Sequence, residues 1–110
     1  MTLADEFRAA QLAFCEELRD SDDGYTPTRF EPIVRAGTGD DAVAFATRLV
    51  EHAPEDGTAG FRRMLQIGRG QQTLEYQVLL ERWRPLFDRR TLDVARWRLQ
   101  QNGIAPPSEG

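Results

Sequence analysis

Lysine is absent from the 110 residues, cysteine and histidine occur once each, and serine occurs twice. Each scarcity removes a class of chemistry. Cys15 cannot form an internal disulfide, and Cys15 with His52 cannot supply the ligands of a structural zinc within one chain. Ser21 and Ser108 are the only serines, one near an expected helix end and one in the tail, so the inventory for nucleophilic catalysis is thin. No apolar run approaches the roughly 20 residues of a membrane-spanning helix. The opening Met1-Thr2-Leu3-Ala4-Asp5-Glu6 lacks the basic-then-apolar pattern of a signal peptide, and a soluble, cytoplasmic chain is expected.

What is present in quantity is charge. The 14 basic residues are all arginine, set against 18 acids for a net of −4. An all-arginine composition reflects a GC-rich coding sequence before it reflects chemistry. The distribution is more informative: residues 1–60 carry 5 Arg and 13 acids, a net of −8, whereas 61–99 carry 9 Arg and 4 acids, a net of +5. An acidic and a basic half can attract each other within the fold or present different surfaces to partners.

Helical periodicity runs almost throughout. Leu3, Phe7, Ala10, Phe14 and Leu18 form one stripe, with Thr2 and Asp5 spaced as a capping pair, which predicts a helix over about 3–19. Asp20-Ser21-Asp22-Asp23-Gly24 stops it. Thr28 with Glu31 reads as a capping box for a short helix from Arg29 to Ala36, with Phe30, Ile33 and Val34 inward. A third helix starts after Thr38 or Gly39 and ends near His52. Thr58 caps a fourth that closes at Gly68, Thr73 a fifth over about 74–83, and Asp88 a sixth over about 89–101 that stops at Gly103. Six short helices and short loops predict an all-α, compact orthogonal bundle of five to six helices. One domain covers 1–103, followed by a Pro-rich tail at 104–110. Strands at Phe30–Arg35 or Tyr76–Leu80 are the competing reading, without strict alternation to support them.

Several strings imitate functional motifs. Gly37-Thr38-Gly39-Asp40-Asp41-Ala42 fits the dinucleotide fingerprint, but two aspartates stand where phosphates need amides and no βαβ unit surrounds it. Asp20 to Glu31 has the length of a calcium loop, yet its glycine is fifth rather than sixth and Pro27 lies inside it. Glu16 and Glu17 are adjacent, so on a helix they diverge by about 100° and cannot act as a dyad. Cys15 and His52 are the one thiol–imidazole combination; beside Phe14, Cys15 reads as a core or boundary residue, and His52 as a partner for helix carbonyls. No catalytic residue, cofactor or metal is expected.

The distinctive feature is a repeated tripeptide, Arg82-Trp83-Arg84 and Arg96-Trp97-Arg98, with Arg89-Arg90 midway. One reading packs both tryptophans at the bundle's edge under solvated arginines. The other makes Trp83, Arg84, Arg89, Arg90, Trp97 and Arg98 a surface for an acidic partner, guanidinium groups pairing with carboxylate or phosphate and tryptophan anchoring the contact. A nucleic-acid alternative employs Arg62, Arg63, Arg69, Arg82, Arg84, Arg89 and Arg90, with a helix-turn-helix about the 68–72 turn and Gln71, Gln72, Tyr76 and Gln77 near the start of the recognition helix. Against it stand Glu75, Glu81 and a pI near 5.0.

The segments Tyr25–Phe30, Gly60–Leu65, Thr73–Leu79, Pro85–Phe87 and Ala95–Leu99 together resemble a small helical module that recurs in uncharacterised bacterial proteins. The resemblance spans about 25–99, rests on apolar and capping positions, and implies a helical domain without an activity. The expectation is therefore a non-enzymatic interaction or adaptor module binding another protein or a second copy of itself, with helix 1 as a further candidate contact. The alternative is a nucleic-acid-binding regulator.

Overall fold

A computed structural model describes residues 1–21, 29–54 and 57–107. The protein is all-α: six α-helices, and no strand among the described residues. They are α1 (Leu3–Asp20), α2 (Phe30–Ala36), α3 (Gly39–Glu51), α4 (Ala59–Gln66), α5 (Leu74–Val78) and α6 (Arg89–Gln101), with 3-10 turns at Gly70–Gln72 and Arg84–Leu86. The chain divides into two compact units, Met1–Phe45 and Ala46–Gly110.

In the first unit α1 starts on a reciprocal capping box. Thr2 Oγ1 accepts from the Asp5 amide at 3.1 Å, and Asp5 Oδ2 accepts from the Thr2 amide at 3.3 Å. The buried stripe of α1 is Ala4, Phe7, Gln11, Cys15 and Leu18. It shares Phe7 and Leu18 with the expected stripe but is turned by one residue, leaving Leu3, Ala10 and Phe14 half-buried. In α2, Val34 is buried as expected, Phe30 is half-buried and stacks on Phe45 at 5.7 Å, and Ile33 faces solvent. Arg8 reaches the exposed end of α2, donating through Nε to the Val34 carbonyl at 3.1 Å and through Nη2 to that of Arg35 at 2.8 Å. Buried Glu31 pairs with Arg19 and with Arg35, the latter at 3.3 Å. The expected Thr28–Glu31 capping box and most of the acidic loop after Ser21 lie outside the described residues.

The string that imitates a dinucleotide fingerprint is a helix start. Thr38 and Asp41 exchange side chain-to-amide hydrogen bonds at 2.9 and 3.2 Å, so the Thr38 and Asp41 amides are already bonded. A Cβ on Gly39 would lie 2.6 Å from the Ala4 carbonyl carbon and the Asp5 nitrogen: this glycine is there to let α3 begin against the first turn of α1.

In the second unit the three caps expected from sequence are present. Thr58 Oγ1 accepts from the Phe61 amide at 3.0 Å, Thr73 Oγ1 from Tyr76 at 3.2 Å and Asp88 Oδ1 from Thr91 at 3.2 Å. Gly68 and Gly103, at φ of 78° and 75°, close α4 and α6 in the left-handed conformation. The fifth helix is much shorter than the expected 74–83. After Val78 the backbone tightens into successive three-residue turns, Leu80 N–H to Gln77 O at 3.1 Å and Trp83 N–H to Leu80 O at 2.9 Å. Leu79, Trp83 and Phe87 are thereby all buried, although Pro85 forbids a continuous helix between them.

Candidate interaction surface

The two Arg-Trp-Arg repeats fare differently because the backbone under them differs. Arg82-Trp83-Arg84 lies in the turns that follow α5, and Trp83 is only 4% exposed, with the Arg82 guanidinium 4.2 Å from its ring centroid. Arg96-Trp97-Arg98 lies in α6, where neighbours in sequence point about 100° apart. Trp97 is 42% exposed and Arg98 is 2% exposed. Trp83 and Arg98 are therefore corrections to the expected surface: both belong to the interior.

The burial of Arg98 follows from its place on the inner face of α6 with Thr91, Ala95 and Leu99. Its Nη1 donates to the Val50 carbonyl in the last turn of α3 at 2.7 Å and to Glu75 Oε2 at 3.1 Å. Arg98 thus caps α3 and forms with Glu75 an ion pair shielded from water, both side chains at most 4% exposed. Burial pushes the Glu75 carboxyl above its ordinary value, and the Arg98 charge pulls it partly back. Arg98 Nε is buried without a hydrogen-bond partner. The sequence signal for this pair was the spacing 91, 95, 98, which the expectation of solvated arginines passed over.

The outer face of α6 carries Arg89, Asp93, Arg96, Trp97 and Gln100, at offsets of 4, 7, 8 and 11, which is one helical stripe. Asp93 binds both arginines, Arg96 at 3.2 Å and Arg89 at 3.7 Å. Arg90 is exposed and reaches Glu51 Oε1 at 3.0 Å, and the buried Thr91 hydroxyl donates to Glu51 Oε2 at 2.5 Å. Asp88 is held below its ordinary value chiefly by the Thr91 amide. Arg84 is half-buried in the turn before α6. Among the described residues, the large apolar side chains exposed to solvent are Met1, Ile33 and Trp97.

The arginines of the nucleic-acid alternative all reach solvent: Arg62, Arg63, Arg82, Arg89 and Arg90 are exposed, Arg69 and Arg84 half-buried. The recognition helix proposed with them is missing. α5 has five residues, about 7.5 Å of helix, and its Glu75 is committed to Arg98. Gln77 Nε2 is bonded to the Gln72 carbonyl at 2.8 Å, and Gln72 Oε1 accepts from Arg69 at 2.8 Å.

Cys15 is 2% exposed, and its thiol is pushed up to about 11, first by burial and then by the Glu31 charge. At neutral pH it is a protonated side chain that packs. His52 is exposed just beyond α3. No group of three or more His, Cys, Asp or Glu suited to a metal occurs among the described residues, and no helix there is long and apolar enough to cross a membrane. Compared with protein-family models, with curated proteins and with solved structures, the chain matches none of them.

Proposed function

We propose that the protein is a non-enzymatic module that binds another protein through the outer face of α6, with Trp97 as the anchor. The observation that carries this reading is the 42% exposure of Trp97 in a unit whose other tryptophan is buried. An exposed indole forgoes burial worth a few kcal/mol in the free protein and recovers it in a partner's pocket, which is why tryptophan and arginine dominate interface hot spots. Arg89 and Arg96 share this face of α6 and outnumber Asp93 there, which favours an acidic rim on that partner.

The test compares the wild-type chain with Trp97→Ala in affinity capture, and each alone in sedimentation velocity for self-association. The expected outcome is a partner, or a second copy, held by the wild type and weakened more than tenfold by Trp97→Ala, with unchanged helical circular dichroism. Equal retention by both chains sinks the choice of face. Duplex DNA at low salt is the control: binding that falls steeply as salt rises would favour the nucleic-acid alternative instead.

A further inference from the structure

The outer face of α6 calls for an acidic surface with room for an indole, and the first unit of the same chain carries one. Residues 1–45 hold 10 acids and 4 arginines, a net of −6, whereas residues 46–110 hold 8 acids and 10 arginines, a net of +2. The second unit of one copy therefore meets the first unit of another with opposite charge, while like units repel. Within the first unit, the side of α1 turned away from its buried stripe is exposed at Ala9, Ala13, Glu16 and Asp20. Their offsets of 4, 7 and 11 make one helical stripe. The two alanines have no atom beyond Cβ to hold a flat ring away from the helix, and the two acids bound the strip on its C-terminal side.

The spacing along the two helices agrees. At the helical rise per residue, Trp97 lies about 12 Å from Arg89 along α6, and Ala9 lies about 10 Å from Glu16 along α1. Laid antiparallel with Trp97 on Ala9, the α6 face brings Asp93 opposite Ala13, four residues on in each helix, and Arg89 beside Glu16. The acid of the α6 face then meets an alanine, and its outermost arginine meets an acid. Arg89 and Glu16 can both turn to such a contact. Their ion pairs within the chain, with Asp93 and Arg35, are each 3.7 Å long, and the two side chains are 93% and 57% exposed. Exposed pairs of that length hold little energy in water, so exchanging one for a contact that excludes water costs little.

We propose that the occupant of the α6 face is a second copy of this chain, docked through the outer face of its α1, with Trp97 on the alanine strip and Arg89 against Glu16. This rests on the reading of α6 as the binding face and commits it to one partner. The contact joins two different surfaces, so each copy offers both halves of it.

Charge reversal followed by sedimentation velocity tests it on the full chain, in a loading series from about 10 μM to about 1 mM. The wild type is expected to associate reversibly in this range, at least fivefold more weakly at about 0.5 M than at about 0.05 M salt. Glu16→Arg alone and Arg89→Glu alone each set like charges together across the contact. Each is expected to weaken self-association at least fivefold, with unchanged helical circular dichroism. Mixed in equal amounts, the two variants are expected to recover association of wild-type strength, because Arg89 of one faces Glu16 of the other and the two introduced charges also oppose. A wild type that stays monomeric throughout the series overturns the proposal, whereas a different protein captured by the wild type and lost with Trp97→Ala would still uphold α6 as the binding face. Self-association that Glu16→Arg leaves unchanged overturns it too, and loss of that association in Trp97→Ala would then mean that α6 meets α6. Failure of the mixed variants to recover association also overturns it. Self-association that neither Arg89→Glu nor Trp97→Ala weakens overturns both this proposal and the choice of α6.

Discussion

Arg98 and Glu75 show how much depends on a single buried pair in a chain this small. Removing one partner leaves the other charge stranded away from water, so Arg98→Ala is expected to cost about 3–5 kcal/mol in urea unfolding. Arg98→Met with Glu75→Leu, which removes both charges and keeps volume, is expected to recover most of that loss. The pH dependence has a definite sign. Because burial raises the Glu75 carboxyl above its ordinary value, the folded state holds that proton more tightly than the unfolded chain does. Its contribution to stability is full below the ordinary carboxylate value and declines as pH rises through the raised one. Asp88, held below its ordinary value by the Thr91 amide, acts in the opposite sense, giving stability that disappears as pH falls. Unfolding of Glu75→Gln followed from below the ordinary carboxylate range up to neutral pH is expected to lack the Glu75 decline on the higher-pH side while keeping the Asp88 loss on the acid side. An unchanged profile would remove Glu75 as its source.

At the scale of the element, what the sequence made legible was the punctuation. Thr2, Thr58, Thr73 and Asp88 each cap the helix expected of them, and Gly68 and Gly103 each adopt the positive φ that ends one. These signals are local, involving side chains within four residues. The errors arose where a distant element decides. The α1 stripe is turned by one residue, with Gln11 buried, because apolar spacing alone does not distinguish two adjacent helical faces when Ala, Phe and Leu populate both. α5 ends at Val78, where the Leu80 and Trp83 amides turn to carbonyls three residues back ahead of Pro85, a tightening that the Thr73 cap and the apolar spacing do not signal. Glycine 39 is a third case, since its reason is the backbone of α1 rather than its own conformation. Gly39→Ala and Gly103→Ala should therefore fail differently. At Gly103 a Cβ meets open space and the penalty is the left-handed backbone, about 1–2 kcal/mol. At Gly39 the Cβ would sit 2.6 Å from backbone atoms that cannot rotate aside, so overpacking of about 1–3 kcal/mol is expected, with the amides of Ala4 and Asp5 shifted in the spectrum. Thermal unfolding gives the two losses, and a Gly39→Ala spectrum unchanged at the start of α1 would contradict the close approach.

Across the whole molecule, the net charge of −4 hides a basic stretch of +5 over 61–99, and the structure refines what that stretch offers. Arg98 is withdrawn from it into the interior and is neutralised by Glu75, one of its four acids, so the surface balance of the stretch is unchanged while its geometry is not. The two tryptophans now report on separate things. Trp83 belongs to a core whose total stability is about 5–15 kcal/mol, and Trp83→Ala, at about 3–5 kcal/mol, would consume a large share of it. Trp97→Ala, at a side chain 42% exposed and so still partly covered by the protein, should cost about 1–2 kcal/mol, less than Trp83→Ala. Each tryptophan can be observed alone in Trp83→Phe or Trp97→Phe. Iodide and acrylamide should both quench Trp97 readily, iodide more than its size would give because the arginines around it attract the anion, an excess that shrinks when salt shortens the screening length to about 3 Å at 1 M. Trp83 should be shielded from both quenchers until the protein unfolds. Binding of a partner by the proposed face should then protect Trp97 alone. Protection of neither tryptophan in a complex that Trp97→Ala nonetheless weakens would mean that α6 acts on the contact from a distance rather than forming it.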